Sequence, residues 1–579
     1  MVHAQMRSDT PRRLRAGFLP AALPALAAAL LFAFPVIGLG QDNQRPPRRV
    51  LQRVAPSSWA NEWSRGAVFY EVFVRSFADS NGDGIGDLKG LIAKLDYLND
   101  GNPDSATDLG VDALWLMPVF ASPSYHGYDT IDYEHINPEY GTDDDFAALC
   151  SEAHRRGIRV IVDFVINHSG SGHPWFVDSS SGPAAAKRNW YVWSPVDLGW
   201  RQPWNMYSGA DTWHQNAKDG QWFYGVFWAG MPDLNIRNQE VRGEIKRLAT
   251  VWLSRGVDGF RLDAARHLVE NGGGLSQVDQ PETHAFWREF ASHVRTVKPE
   301  ATLVGENWTD TPIIATYYGS TATVPGGDEL PMNFDFPLAA AIIQGVNTGD
   351  DNVILSKLAE VQSVYPQGAN DAPFLTNHDM IRVATQLANN TGKLRNAAAI
   401  LLTVPGTPFL YYGEEIGMRD IEIPRERIRD PVGKRFAGLG RDPERTPMQW
   451  DASPQAGFSA ASDTWLPLAP DAQQVNVAAQ TDDPDSLLSF YRRVIWWRKS
   501  APAILDGSLR VLDGPDDTFV YVRELGGQRL VVALNFATEP RRVALPSPGR
   551  VVLSTVLGRV GGGAAIDLSG CEGLVIELS

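Results

Sequence analysis

The feature that most restricts the fold is a unit that recurs eight times between residues 68 and 411: a short β-rich run, mostly followed by enough chain for a helix. The runs lie at 68–73, 113–117, 160–164, 259–262, 302–304, 332–335, 374–376 and 408–411. Alternating β and α units predict a parallel sheet. Eight of them predict an α/β fold closed into a (β/α)8 TIM barrel, in which every strand end opens on one rim.

One interval breaks the rhythm. About ninety residues separate the third and fourth runs, and they hold Trp175, Trp190, Trp193, Trp200, Trp204, Trp213, Trp222 and Trp228. A structureless loop of that size is improbable, so residues from about 168 to 235 are predicted to form an inserted subdomain. After Trp497 the pattern changes to short β runs, which predicts a C-terminal antiparallel β-sandwich over 506–579, with the barrel occupying 61–505. A chain of 579 residues, 44% of them hydrophobic, has too much apolar material for one ordinary core.

A net charge of −16 argues against a nucleic-acid partner, which would need a basic face. Two cysteines, Cys150 and Cys571, make no disulfide framework; Cys150 reads as a buried thiol on an apolar helix face. Arg12, Arg13 and Arg15 precede an uncharged run over 16–40 that ends Gly38-Leu39-Gly40. That is a signal-peptide pattern, implying a periplasmic or secreted protein with no membrane association once 1–40 is removed. The run is also long enough for a membrane anchor, although Pro20, Pro24 and Pro35 interrupt it. Residues 41–60, rich in Pro and Arg, read as a linker.

Polar residues cluster where the apolar runs stop. Asp163 and His168 follow the third run, Arg261 and Asp263 close the fourth, Glu306 follows the fifth, and His378 and Asp379 follow the seventh. On a barrel these positions share the rim where catalytic groups collect. A purely structural ion-pair network fits poorly, because the carboxylates outnumber the cations and would repel. Two carboxylates in different protonation states can hydrolyse a glycosidic bond. Arg261 and Asp263 are two apart on one strand and share a face, so the cation is expected to lower the Asp263 pKa and keep it nucleophilic. Glu306 has no cation beside it in sequence and is followed by Trp308; a drier setting would raise its pKa and suit a general acid. Asp379, next to His378, is placed to hold substrate hydroxyls.

The strings Asp163-Phe-Val-Ile-Asn-His168, Gly259-Phe-Arg-Leu-Asp-Ala-Ala-Arg-His267, Val304-Gly-Glu-Asn-Trp308 and Phe374-Leu-Thr-Asn-His-Asp379 occur in this order. They resemble the four signature regions of the α-amylase superfamily, glycoside hydrolase family 13, and the resemblance covers roughly 60–579. It implies a retaining hydrolase with Asp263 as nucleophile, Glu306 as acid/base and Asp379 as stabiliser. It further implies that Arg261, His168, His378 and Tyr128 line the sugar site. Asp129 stands where exo-acting relatives carry Asp, and Arg445, in Arg445-Thr-Pro-Met-Gln-Trp450, resembles an arginine of α-glucosidase-like members.

Asp79, Asn81, Asp83, Ile85 and Asp87 lie at alternating positions of a Gly-rich string, a pattern of oxygen donors that suits Ca²⁺. Position twelve is Gly90, so this is no complete EF-hand. The string resembles the calcium loop after the first strand of oligo-glucosidase and amylase relatives; a metal-free Gly/Asp turn is the alternative. Met231-Pro-Asp-Leu-Asn235 resembles a fifth signature region of the group intermediate between oligo-1,6-glucosidases and neopullulanases. With Ala264 after the nucleophile position, the resemblance favours α-1,4 bonds of an α-glucan or maltooligosaccharide, as in an α-amylase. An α-glucosidase, an oligo-1,6-glucosidase and a sugar-transferring, trehalose-forming enzyme remain alternatives, and a non-catalytic membrane-anchored partner subunit is a remote one.

Overall fold

The computed structural model describes residues 50–51 and 62–579, apart from 206–208, 323, 325 and 436–437. The expected leader over 1–40 lies outside the described residues, as does most of the expected linker.

Eight parallel strands form the barrel: β1 (Phe69–Val72), β2 (Ala113–Leu116), β3 (Arg159–Phe164), β4 (Gly259–Leu262), β5 (Thr302–Gly305), β6 (Met332–Phe334), β7 (Asn370–Ala372) and β8 (Phe409–Tyr411). They are hydrogen-bonded in chain order, and β8 pairs with β1. Between β7 and β8 the ring is closed by a parallel bridge from Phe374 to Phe409 and by Thr407 N donating to Asp371 O at 2.8 Å. The seventh strand departs from expectation, for it lies at 370–372 and not at 374–376. Pro373 follows it, and a residue without an N–H cannot extend the ladder, which leaves Phe374 with a single bridge.

The strands point alternate side chains inward. Phe69, Ala113, Trp115, Ile161, Met332, Phe334 and Phe409 pack together as the barrel's inner core, while Tyr70, Leu114, Val160 and Phe260 join the outer core beneath the helices. Moving along the inward positions toward the rim, apolar residues give way to Glu71, Asp163 and Arg261. Arg261 lies directly beside Asp163 in the β3–β4 register.

The interval after β3 is a compact unit, built on a three-stranded antiparallel sheet of Trp193–Ser194, Trp213–Gln215 and Trp222–Tyr224. Antiparallel bridges His168–Asp233 and Tyr191–Leu234 tie its two ends together. Lys187 lies 3.3 Å from the centre of the Trp190 ring and Arg188 3.3 Å from that of Trp193, so the cationic side chains cover indole faces.

The C-terminal region is an antiparallel sheet of β9 (Ser508–Val511), β10 (Thr518–Leu525), β11 (Gln528–Asn535), β12 (Arg541–Ser554), β13 (Gly562–Leu568) and β14 (Gly573–Leu578). Val50–Leu51, inside the stretch read as linker, pairs antiparallel with β9. Phe519, Tyr521, Val532 and Leu534 belong to the main core, whereas the alternate residues Val520, Val522, Val531 and Ala533 build a second core with β12, β13 and β14. Asn396 Nδ2 donates to Asn535 O at 2.9 Å and fastens sheet to barrel. Cys150 and Cys571 are both free thiols. No helix among the described residues is long and apolar enough to cross a membrane.

Candidate active site

One guanidinium organises the rim. Arg261 Nη1 donates to Asp163 Oδ1 at 2.8 Å and to Asp263 Oδ1 at 2.6 Å, and Nη2 lies 3.1 Å from Glu306 Oε2. Adjacent parallel strands β3, β4 and β5 deliver these three acids to one fork of five donors. Directly after Asp263 the chain turns through Ala264, whose φ of 48° is left-handed. That turn aims the Ala264 N–H at Glu306 Oε2, 2.9 Å away. One guanidinium thus holds both the Asp263 and the Glu306 carboxylate.

Asp379 faces them from the loop after β7. Arg445 Nη2 donates to its Oδ1 at 2.5 Å and Arg441 Nη1 at 2.9 Å. Arg445 also donates to His378 O and receives no solvent, while its Nη1 holds the Tyr125 hydroxyl at 3.0 Å. The side chains of Asp263, Glu306 and Asp379 are 10%, 13% and 19% exposed, against 1% for Arg261 and 0% for Asp163. The trio is therefore more open than the Arg261–Asp163 pair beneath it, and a substrate ring can reach it there.

Tyr128 and His378 close one wall. Their rings stack at 5.6 Å, the Tyr128 hydroxyl is 2.6 Å from His378 Nε2, and it donates to Asp163 Oδ2 at 3.1 Å. His378 Nδ1 is 2.5 Å from Glu71 Oε1. His168 sits behind Tyr128, with Nε2 3.1 Å from Tyr128 O and Nδ1 2.9 Å from Asn167 Oδ1. Asp129 is buried, and its carboxylate accepts from Ser122 Oγ at 2.7 Å and from Ser124 Oγ. Glu71, Arg441 and Tyr125 were not singled out in the sequence. A charge inside the apolar run 68–73 was a visible signal for Glu71; nothing in the sequence marks Arg441, because its reach depends on how the loop before Arg445 folds back.

Two electrostatic expectations need correction. Glu306 does have a cation, since Arg261 spans both acids. Burial pushes the Asp263 carboxyl above its usual range, with Arg261 opposing, so the net shift is upward and not downward. Burial likewise raises Glu306 to about 7 and Asp163 to about 8, in each case against the pull of Arg261. One buried cation cannot keep three neighbouring carboxylates ionised together. Asp379 shifts the other way. Burial alone would raise it, but His378, Arg441 and Arg445 outweigh burial and hold it well below the ordinary carboxylate range. The arrangement thus offers a permanently ionised Asp379 opposite a Glu306 that still carries a proton near neutrality. Of the close pair, Asp263 takes the shorter charge-assisted bond, which favours its anion over that of Glu306.

The loop over 79–87 winds on its own side chains. Gly82 N donates to Asp79 Oδ1 at 2.7 Å, Asp83 N to Asn81 Oδ1 at 2.9 Å and Ile85 N to Asp83 Oδ1 at 2.8 Å. Asp87 accepts from Gly90 N at 2.7 Å and caps the helix Leu88–Ala93. Among the described residues no three His, Cys, Asp or Glu side chains gather closely enough to hold a metal by themselves. The all-oxygen donor set suits a hard cation, which would need Asn81 and the Ile85 carbonyl as well as the acids.

Comparisons with known proteins place the chain among related sequences and folds. The α-amylase catalytic domain model matches residues 71–507, and a domain of unknown function, DUF3459, matches 506–575. The chain is 37% identical to Alpha-amylase 3 of Dictyoglomus thermophilum, over 82% of this chain and 85% of that protein. It is 36% identical to a trehalose synthase of Pimelobacter sp., over 86% of this chain and 90% of that protein. A solved α-amylase from H. orenii superposes with a TM-score of 0.76 at 36% identity, covering 89% of this chain and 99% of that one.

Proposed function

We propose that this chain, which belongs to the α-amylase family of glycoside hydrolases, cleaves α-1,4-glucosidic bonds in starch-like glucans or maltooligosaccharides with retention of configuration. The observation that carries the reading is the Asp263–Arg261–Glu306 bridge, with the ionised Asp379 opposite and all three acids open to the mouth. In the first step an Asp263 oxygen attacks the anomeric carbon, and Glu306 gives its proton to the departing glycosidic oxygen. In the second, Glu306 takes a proton from water, whose oxygen displaces Asp263. Asp379, fixed by Arg441 and Arg445, accepts hydrogen bonds from sugar hydroxyls. Met231 and Ala264 support the α-1,4 preference. Digestion of maltoheptaose tests the reading: mixed shorter maltooligosaccharides are expected, and no turnover of any α-linked glucan or oligosaccharide would overturn it. The trehalose synthase likeness favours a second reading, transfer of the glucosyl group to a sugar in place of water, and trehalose among the products would establish it.

The first step needs a protonated Glu306. Its carboxyl is held at about 7, so kcat/KM should fall as pH rises through that value. Glu306→Gln should lower kcat by roughly 10²–10⁴ and abolish that limb of the profile.

Loop 79–87 takes Ca²⁺ in this reading, through Asp79, Asn81, Asp83, Asp87 and the Ile85 carbonyl. Calcium at a hundred times its Kd would add about 2.7 kcal/mol to stability. Thermal unfolding in millimolar Ca²⁺ and in EGTA should differ accordingly, and Asp83→Asn should shrink the difference; identical melting curves would remove the metal from the account. Export is part of the same proposal, and a mature N-terminus near Gln41 in secreted material would support it.

A further inference from the structure

We infer that Glu71 is a positioning residue: as a neutral acid it donates a hydrogen bond to His378 Nδ1 and fixes the imidazole with Nε2–H turned toward Tyr128 and Asp379. The inference rests on the glycoside-hydrolase reading above and gives a role to an acid that reading leaves unused.

Glu71 occupies an inward position of β1, in register with Trp115 of β2 and Tyr411 of β8, and is buried. Its Oε1 lies 2.5 Å from His378 Nδ1. The imidazole is already clamped by a stack on Tyr128 at 5.6 Å and an edge contact with Trp115 at 5.7 Å. Those contacts set the plane of the ring but not its half-turn about the Cβ–Cγ bond, which leaves plane and centre almost unchanged. The Glu71 bond selects the half-turn, because it needs a nitrogen and not a carbon at that place.

The other nitrogen tells which group carries each hydrogen. Nε2 faces two oxygens, the Tyr128 hydroxyl at 2.6 Å and Asp379 Oδ2 at 3.5 Å. Asp379 is ionised, so a bare Nε2 would set its lone pair against an anion; Nε2 therefore bears the hydrogen. Burial pushes the His378 pKa well below its usual value, so the ring is neutral and Nδ1 is bare. A carboxylate 2.5 Å from a bare nitrogen would bring two acceptors together, and Glu71 must supply the hydrogen. Burial pushes its carboxyl well above the usual range, with Arg261 opposing and Asp379 and Asp163 adding to the rise. The line then runs one way: Glu71 O–H to Nδ1, Nε2–H to the Tyr128 oxygen, and the Tyr128 hydroxyl to Asp163 Oδ2 at 3.1 Å. Reversing it would turn the His378 lone pair on the acid that grips the sugar.

Two variants and one spectrum test this. Glu71→Gln keeps a neutral donor, and kcat/KM on maltoheptaose should stay within about three-fold, whereas Glu71→Met leaves Nδ1 without a partner and should lower it roughly ten- to hundred-fold. The pH profile reports charge. Replacing a neutral Glu71 by Gln should leave the alkaline limb where it is, while removing an anion would lower the Glu306 pKa and move the limb toward acid. ¹⁵N spectra of histidine-labelled protein, with His378 identified by the signal lost in His378→Gln, should show a protonated Nε2 and a bare Nδ1 over about pH 5–8. A hydrogen on Nδ1, a limb displaced by about half a pH unit or more in Glu71→Gln, or equal rates for Glu71→Met and wild type would overturn the assignment. If Glu71→Met does not fold, the Gln variant and the spectrum still decide. A wild-type protein inert toward all α-linked glucans would instead defeat the glycosidase reading, and the spectrum would still report which nitrogen holds the hydrogen.

Discussion

Asp263→Asn is expected to leave a folded protein whose kcat on maltooligosaccharides is lower by roughly 10⁴ or more, the scale seen when a covalent nucleophile is removed. The amide is nearly isosteric but cannot form the glycosyl ester. Stability should hold or rise, because one of three mutually repelling acids loses its charge while Arg261 keeps Asp163 and Glu306. The shorter variant Asp263→Ala opens space for azide, which can attack the anomeric carbon of an activated glucoside from the vacated face. The product would be a β-glucosyl azide, and its appearance would place the attack on the face Asp263 occupies. Activity of Asp263→Asn within ten-fold of wild type, judged by initial rates, would remove Asp263 from the nucleophile role.

Arg261→Met should be the most damaging single change to the fold of the site. It strands Asp163, Asp263 and Glu306 around an apolar side chain, and breaking a buried ion network of this kind costs about 3–5 kcal/mol. The loss should depend on pH. In the wild-type protein Glu306 and Asp163 already have folded pKa values of about 7 and about 8. Unfolded carboxyls titrate near ~4. A carboxyl raised on folding binds its proton more tightly in the folded state, so its contribution to stability falls as pH climbs from the unfolded to the folded value. Without the guanidinium these folded values rise further and the window extends upward. The difference in Tm between Arg261→Met and wild type should therefore be small at pH 5 and large at pH 8, measured at one scan rate. Arg261→Lys should not restore activity, because a single ammonium cannot reach three acids in fixed directions. An equal Tm deficit at both pH values would show that lost packing, and not stranded charge, is responsible.

Much of this molecule could be read from residue order. The barrel was legible because each strand had to be an apolar run and each return a helix, and because sequence separation of that kind leaves few topologies. The acids of the rim were legible for the same reason: Asp263 follows β4, Glu306 follows β5, and a carboxylate that interrupts an apolar pattern is conspicuous. Phe374-Leu-Thr looks more strand-like than Asn370-Asp-Ala, so the pattern predicts β7 four residues too late, whereas Pro373 decides where the ladder stops.

What residue order did not contain was the electrostatics of convergence. Arg261 lies two residues before Asp263, and from the sequence alone it belongs to that acid. Only the side-by-side placement of β3, β4 and β5 lets its two amino groups serve Asp163, Asp263 and Glu306 together. The same holds for Asp379, whose ionisation depends on Arg441 and Arg445 arriving from more than sixty residues away. Periodicity is a local property and survives in one dimension. Proton affinity is set by whatever charges and solvent lie within a few ångströms, and those neighbours exist only once the chain has closed on itself.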